Sequence, residues 1–307
     1  MMTWRIVHVK ESEFMKLKLD NLEISKRGQK YYVPLSDISI LDISILIVEG
    51  NTSVTTNLLS AFTKNSIALV ICDEKYLPTG LLLNYGNYHR ASKRALQQTL
   101  WDQQCKKEVW KKIVGQKMMN QIEFSRFKQV PDDRLTIMME LYNQLTPGDE
   151  TNREGHVAKV YFNSLYGMDF TRDEYCLQNI AMNYGYAIIR AAIARLTVGQ
   201  GLMTMLGVFH CNEYNSFNLV DDLMEPFRPI MDYWLDKEIY SNHEYLSYES
   251  RLRIIDFLNQ PMRYKSTKST VDQVMTKYVN SFTKAMLTNT PQEVHDISLQ
   301  DFMEVER

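Results

Sequence analysis

The feature that most constrains this chain is a change of hydrophobic period near Asn84-Tyr85-Gly86-Asn87. Before it, apolar and polar residues alternate over Trp4 to Val9, Leu17 to Ile24 and Tyr31 to Leu35, with turn-forming residues between, and that period of two buries one face of a strand. Ile67 to Cys72 is a continuous apolar run of strand length. The stretch Val54 to Lys64 in front of it sets Val54, Leu58, Ala61 and Phe62 on one side of a short helix. After the change, Ala95 to Met119, Val157 to Leu165, Asn183 to Thr197 and Val271 to Leu287 follow helical spacing. Pro131-Asp132-Asp133, Thr146-Pro147-Gly148-Asp149 and Asn289-Thr290-Pro291 punctuate them. The pattern implies an α+β multidomain chain, with a β-rich, sandwich-like domain over residues 1–88 followed by an all-α domain over residues 89–307.

One segment breaks the strand pattern. Asp37-Ile38-Ser39-Ile40-Leu41 is repeated at once as Asp42-Ile43-Ser44-Ile45-Leu46. Side chains of a strand alternate faces, so an insertion of odd length inverts everything beyond it unless the chain bulges. One copy is therefore expected to be bulged or looped out, and its removal to leave the protein folded and active. A chance repeat or a slip in the gene explains the duplication equally well and carries no function.

Bulk properties exclude several classes. The opening Met1 to Val7 lacks a charged segment followed by an apolar block, and no stretch offers the roughly 18 apolar residues of a membrane span. Cys72, Cys105, Cys176 and Cys211 are scattered, with no pair at zinc-knuckle spacing. A cytoplasmic protein with reduced thiols and no membrane partner is expected. The formal net charge of -2 argues against a nucleic-acid partner, yet it conceals eight basic residues (Arg90, Lys93, Arg94, Lys106, Lys107, Lys111, Lys112, Lys117) against two acids, Asp102 and Glu108, between positions 90 and 117. Such a run is as readily a solvated helix face as a phosphate surface.

Three clusters could carry chemistry. Thr151 to Phe162 contains Glu154, which together with Thr151 fits a capping box. Gly207-Val208-Phe209-His210 ends in a histidine that is either a core residue or a ligand. Asn215 to Pro229 gathers Asp221, Asp222 and Glu225, acids suited either to a helix N-terminus or to a cation. Taken jointly, two carboxylates and one imidazole suit Mg²⁺ or Mn²⁺ better than zinc, and phosphodiester chemistry needs such a cation.

In order and spacing these motifs, Asn152-Arg153-Glu154-Gly155-His156-Val157-Ala158-Lys159-Val160-Tyr161-Phe162, Gly207 to His210 and Asn215 to Pro229, resemble the CRISPR-associated protein one family, the integrases of CRISPR adaptation. Thr3-Trp4-Arg5 and the Asn212-Glu213-Tyr214-Asn215-Ser216-Phe217-Asn218-Leu219 stretch look most like its type II-A branch. The resemblance implies a β-rich N-terminal domain that dimerises and a helical catalytic domain that holds Mg²⁺ or Mn²⁺ through Glu154, His210 and Glu225, with Asp221 or Asp222 competing for the third place. It further implies a homodimer, two of which flank a dimer of a small ferredoxin-like companion protein. That four-plus-two complex joins the 3′-hydroxyl ends of a short double-stranded DNA to the leader-repeat junction by transesterification.

Asn215, Asn218, Asp221 and Asp222 are candidates for orienting the ligands. Lys159, Arg190, Arg195 and Arg228, in or beside the motifs, are candidates for DNA phosphates. A metal-dependent endonuclease that uses water at the same site, and a non-catalytic DNA-binding scaffold in which Glu154 only caps a helix, are the alternatives.

Overall fold

The computed structural model describes residues 5–35, 43–85, 88–265 and 267–305. The chain divides into two compact units, Met1–Arg94 with Ala194–Leu202, and Ala95–Ile193 with Met203–Arg307. A single cut in the sequence does not capture this division, because residues 194–202 group with the first unit.

The first unit is built on β1 (Arg5–Lys10), β2 (Phe14–Lys18), β3 (Asn21–Lys26), β4 (Gln29–Pro34), β5 (Ile43–Glu49), β6 (Ser53–Val54), α1 (Thr56–Lys64), β7 (Ala68–Cys72) and β8 (Pro78–Leu82). Two four-stranded sheets form, in the orders β1-β5-β7-β8 and β4-β3-β2-β6. Met15 and Leu22 from one sheet, Ile43, Leu46 and Leu69 from the other, and Leu58 and Phe62 of α1 bury into a single core. The Leu17 to Ile24 alternation is two strands and not one. Leu19 and Asp20 both take positive φ (49° and 57°), making a two-residue hairpin turn whose twist matches its flanking strands. Val54 lies in β6, and Thr55 starts the helix by accepting a bond from the Leu58 N–H.

β5 runs parallel to both β1 and β7 and is buried along its whole length, which accounts for its nearly unbroken apolar sequence. The second copy of the duplicated pentapeptide supplies its first half, while the first copy falls outside the described residues. Against β1 the register moves from Arg5 opposite Ile43 to Ile6 opposite Ile45, so Ser44 is a bulge within the repeat. Deleting either copy produces the same sequence, in which Ile43–Glu49 is intact. The shortened chain is expected to express and to unfold cooperatively near the wild-type temperature. A melting temperature depressed by ten degrees or more would show that the longer connection before β5 is required.

The second unit is helical, and the molecule as a whole is α+β. α2 (Ala91–Thr99) straddles the division and is followed by α3 (Gln103–Phe127), α4 (Asp132–Asn143), α5 (Arg153–Tyr166), α6 (Leu177–Gly199), whose last turns group with the first unit, α7 (Asn218–Met224), α8 (Arg228–Leu235) and α9 (Tyr248–Asp256). A hairpin of β9 (Pro261–Tyr264) and β10 (Thr267–Thr270) precedes α10 (Val271–Thr288) and α11 (Leu299–Met303). The small hairpin is an addition to the all-helical expectation. The helical run expected over Ala95 to Met119 breaks ahead of Asp102, whose carboxylate accepts the Cys105 N–H at 2.7 Å and starts α3 afresh. α3 is the spine of this unit, burying Val109, Trp110, Ile113, Val114, Met118 and Ile122. No helix among the described residues is long and apolar enough to cross a membrane.

Candidate active site

The site assembles on α3, where four segments of the helical unit meet. α5 does not begin with the expected capping box. Asp149 instead accepts the backbone N–H groups of Arg153 (2.7 Å) and Glu154 (3.0 Å), while Thr151 receives a bond from its neighbour Arg153. Asn152 takes a left-handed conformation and folds its side chain over Gly155, where a Cβ would lie 2.6 Å from the amide oxygen. With capping handled by Asp149, the Glu154 carboxylate is released from local duty and projects inward.

It meets Lys117. The Lys117 ammonium, on α3, is in ion-pair contact with Glu154 and lies 2.5 Å from Glu225 in the 3₁₀ turn Glu225–Phe227 that joins α7 to α8. Arg228 reaches the other Glu225 oxygen at 3.4 Å and stacks its guanidinium over Tyr186. Burial pushes the Glu225 carboxyl up, but Arg228 and Lys117 more than cancel that and hold it below the usual carboxylate range. Burial likewise opposes the charge on Lys117, and the two glutamates override it.

His210 is held from behind. Its Nδ1 lies 2.6 Å from Asp222, whose carboxylate also accepts the backbone N–H groups of Val208, Phe209 and His210. Gly207 makes that loop possible, since a Cβ there would clash with the His210 carbonyl and lie 2.7 Å from Asp222 Oδ2. Phe209 stacks on Trp110 at 4.2 Å and His210 meets the same indole edge-on. Bonding to Asp222 raises the imidazole's affinity for its proton, with Glu225 and Asp221 adding to the field. Nothing among the described residues bonds Nε2, which leaves that nitrogen available. Asp222 itself is raised, because burial outweighs the stabilisation from His210.

Of the four orienting candidates, only Asp222 touches His210. Asp221 accepts Arg190, at 2.8 Å from Nε and 2.7 Å from a terminal nitrogen, and Asn215 at 2.8 Å. Asn218 ties down the preceding loop through the Met205 and Asn212 carbonyls. The phosphate candidates also divide. Arg190 and Arg228 border the acids, whereas Arg195 is buried, in the stretch that groups with the first unit. Lys159 is exposed but lies five residues beyond Glu154, about 140° around α5 and away from the site.

Sequence inspection missed Lys117 by counting it with the basic run. The signal was present, since it stands four residues after Ile113 and three after Val114, a lysine on the apolar face of a helix. Asp232 was also missed. It is buried on α8, where it accepts the hydroxyls of Tyr161 (2.9 Å) and Tyr186 (2.6 Å), and burial raises its carboxyl to about 6.

The donor chemistry fits a hard divalent cation, with two carboxylates and an imidazole nitrogen, and with Glu225 Oε2 buried and facing only the Lys117 ammonium. Among the described residues no three His, Cys, Asp or Glu side chains stand close enough together to ligate one, and the Lys117 ammonium lies between the two glutamates.

Comparison with known proteins decides the family. The family model "CRISPR associated protein Cas1" matches residues 6–242. The chain belongs to the Cas1 family. A CRISPR-associated endonuclease Cas1 of Neisseria meningitidis serogroup C is 38% identical over 231 residues, covering 75% of this chain and 74% of that one. One from Pyrobaculum aerophilum is 24% identical across 86% of this chain and 92% of its own. Among solved structures, a Cas1 from Thermotoga maritima superposes with a TM-score of 0.73 at 14% identity, covering 92% of this chain and 97% of that one. A casposase bound to an integration product gives 0.73 at 18%, covering 99% of each. The α+β architecture described above is therefore the Cas1 fold.

Two measurements probe the geometry of this Cas1 site. In Asp222→Asn, the His210 ring is expected to titrate at lower pH than in the wild type when followed by NMR; an unchanged titration would show that the 2.6 Å contact does not govern the imidazole. Asp232 binds its proton more tightly in the folded chain than an ordinary aspartate does, so this group makes the fold lose stability as pH rises through the window between roughly 4 and 6. That loss approaches ~3 kcal/mol and is complete above the window. Denaturant titrations of Asp232→Asn should show the variant gaining about that much relative to wild type between pH 4 and pH 7, whereas parallel curves would mean an unperturbed carboxyl.

Proposed function

We propose that this Cas1-family protein is the catalytic subunit of CRISPR adaptation. It joins the 3′-hydroxyl ends of a short DNA duplex to the CRISPR array, using Mg²⁺ or Mn²⁺ held by Glu154, His210 and Glu225. One observation carries this reading. Two carboxylates from separate segments converge on a single buried positive charge, beside an imidazole already oriented by its own carboxylate. A helix cap or a core histidine would need none of that convergence, which disfavours the scaffold alternative.

The reaction exchanges one phosphodiester for another. The attacking 3′-oxygen bonds to phosphorus in the target strand, the original phosphorus–oxygen bond breaks, and the proton lost by the first hydroxyl is balanced by one taken up by the departing oxygen. A bound divalent cation supplies charge compensation at the phosphorus and its oxygens. The chain's own residues do the positioning. Asp222 holds the imidazole through Nδ1 and leaves Nε2 available as a donor atom, Arg228 aligns the Glu225 carboxylate, and Asp149 sets the angle at which α5 delivers Glu154. Arg190 and Arg228 are the cationic groups that border the reacting strand, ahead of Lys159.

The relatives' name of endonuclease favours a second use of the same site, with water in place of the 3′-hydroxyl. The casposase that shares this fold holds an integration product, which supports joining. A Cas6-RT-Cas1–Cas2 complex among the structural neighbours supports a companion protein; that this chain acts as a homodimer in a four-plus-two complex is part of the proposal.

A joining assay with a pre-processed duplex and a supercoiled plasmid bearing the array tests the proposal. The wild type should yield half-site products in Mn²⁺ or Mg²⁺. Glu154→Gln, His210→Ala and Glu225→Gln should each lower the rate at least a hundredfold while keeping the wild-type circular dichroism spectrum. Joining at the wild-type rate by folded variants would refute the assignment, and nicked plasmid with no joined strand would favour the hydrolytic use.

A further inference from the structure

We propose that Lys117 is an internal counter-ion of the metal-free site: its ammonium holds Glu154 and Glu225 together in place of the cation and leaves that position when a divalent cation binds. This inference rests on the reading of those two glutamates and His210 as the metal donors, and it adds a residue that the reading does not contain.

The first support is position. Lys117 belongs to the longest helix of the unit, and its side chain is only 10% exposed. Lysine is seldom buried this far without a partner, because desolvation of an ammonium costs several kcal/mol. Here both partners are the residues assigned to the cation, and they arrive from different segments, α5 and the turn after α7. The ammonium contacts a carboxylate oxygen of each glutamate, which is the position that an oxygen-liganded cation shared by the two would take.

The second support is charge. Glu154 and Glu225 contribute two negative charges, and Lys117 and Arg228 contribute two positive ones, so the metal-free cluster sums to zero. A static lysine would keep both glutamates paired and hold its own ammonium against the dication. A lysine that withdraws uncovers two carboxylates for the metal, and with the dication added the same four residues sum to a surplus of two positive charges. That surplus favours an incoming phosphodiester, and the long flexible stem of lysine permits the withdrawal where a planar guanidinium would resist it.

Manganese binding to the full chain tests this by calorimetry and by the EPR signal of free Mn²⁺, with thermal unfolding in parallel. Lys117→Met should bind Mn²⁺ at least tenfold more tightly than wild type. It should melt several degrees lower than wild type without metal and recover that difference when Mn²⁺ is added. Lys117→Arg, which keeps the charge, should bind Mn²⁺ no better than wild type. If Lys117→Met fails to fold without metal, Lys117→Gln refolded with and without Mn²⁺ gives the same comparison. Unchanged or weaker Mn²⁺ affinity in the Met or Gln variant, or a loss of melting temperature that Mn²⁺ does not restore, would make Lys117 a fixed structural partner and overturn the proposal. Glu225→Gln separates the two levels. If wild type binds Mn²⁺ and Glu225→Gln does not, the metal assignment stands whatever Lys117 does, whereas wild-type binding that ignores Glu225→Gln, or no binding at all, removes the assignment and this inference with it.

Discussion

The helical unit is organised around a group of buried charges that are tolerable only together. Glu225 and Lys117 are nearly inaccessible, Glu154 and Arg228 only partly open, and each opposes a partner of the other sign. Removing one member of such a group costs on the order of 3–5 kcal/mol, because the survivor is left buried and uncompensated. Replacing the whole group with apolar residues is often neutral or even stabilising, so stability alone does not explain why it is there. A cluster that is expensive to break and unnecessary for packing is most economically explained by chemistry performed at that point.

The same helix connects the charges to the frame. On α3, Trp110 supports the His210 loop through Phe209, Lys117 gathers the glutamates seven residues later, and Asn120 bonds the carbonyls of Pro226 and Ile297 and the Leu299 N–H. Seven residues is close to two helical turns, which puts Trp110 and Lys117 on one face. His210 and Glu225 are thus referenced to a single rigid element although they come from a loop and a turn. A loop by itself would place an imidazole loosely; the Asp222 carboxylate, saturated by three backbone N–H groups and the ring, removes that freedom.

Much of this was legible in the sequence, for identifiable reasons. The period change near Asn84 separates strands from helices because burial of one face leaves a direct mark on residue order. What periodicity does not carry is direction: β1, β5 and β7 are parallel, and a buried parallel strand reads the same as any apolar run. The turn at Leu19-Asp20 was hidden because leucine is not a turn residue and the alternation continues through it. At the site, the acids and the histidine stood out by type and spacing. Their partners did not, since Lys117 resembled its solvated neighbours and Asp149 resembled a loop residue. Glu154 was readable both as half of a capping box and as a ligand, and only the two bonds from Arg153 and Glu154 to Asp149 show which residue does the capping.

These placements also change how a chain of net charge -2 can address DNA. Three of the eight cations between Arg90 and Lys117 are already engaged: Lys107 pairs with Glu150, Lys112 with Asp296, and Lys117 is inside the site. Arg190 and Arg228 are likewise already engaged with acids and stacked on aromatic rings. Cations committed in this way contribute little attraction to a distant polyanion, because each is cancelled at short range by its partner. Their charge is released only where a partner acquires a stronger claim, and a divalent cation on Glu154 and Glu225 makes such a claim on both glutamates at once. Under the proposed reading, affinity for the phosphodiester is therefore generated at the reacting centre by loading the metal, and DNA binding near the site should be coupled to the ion that the chemistry requires.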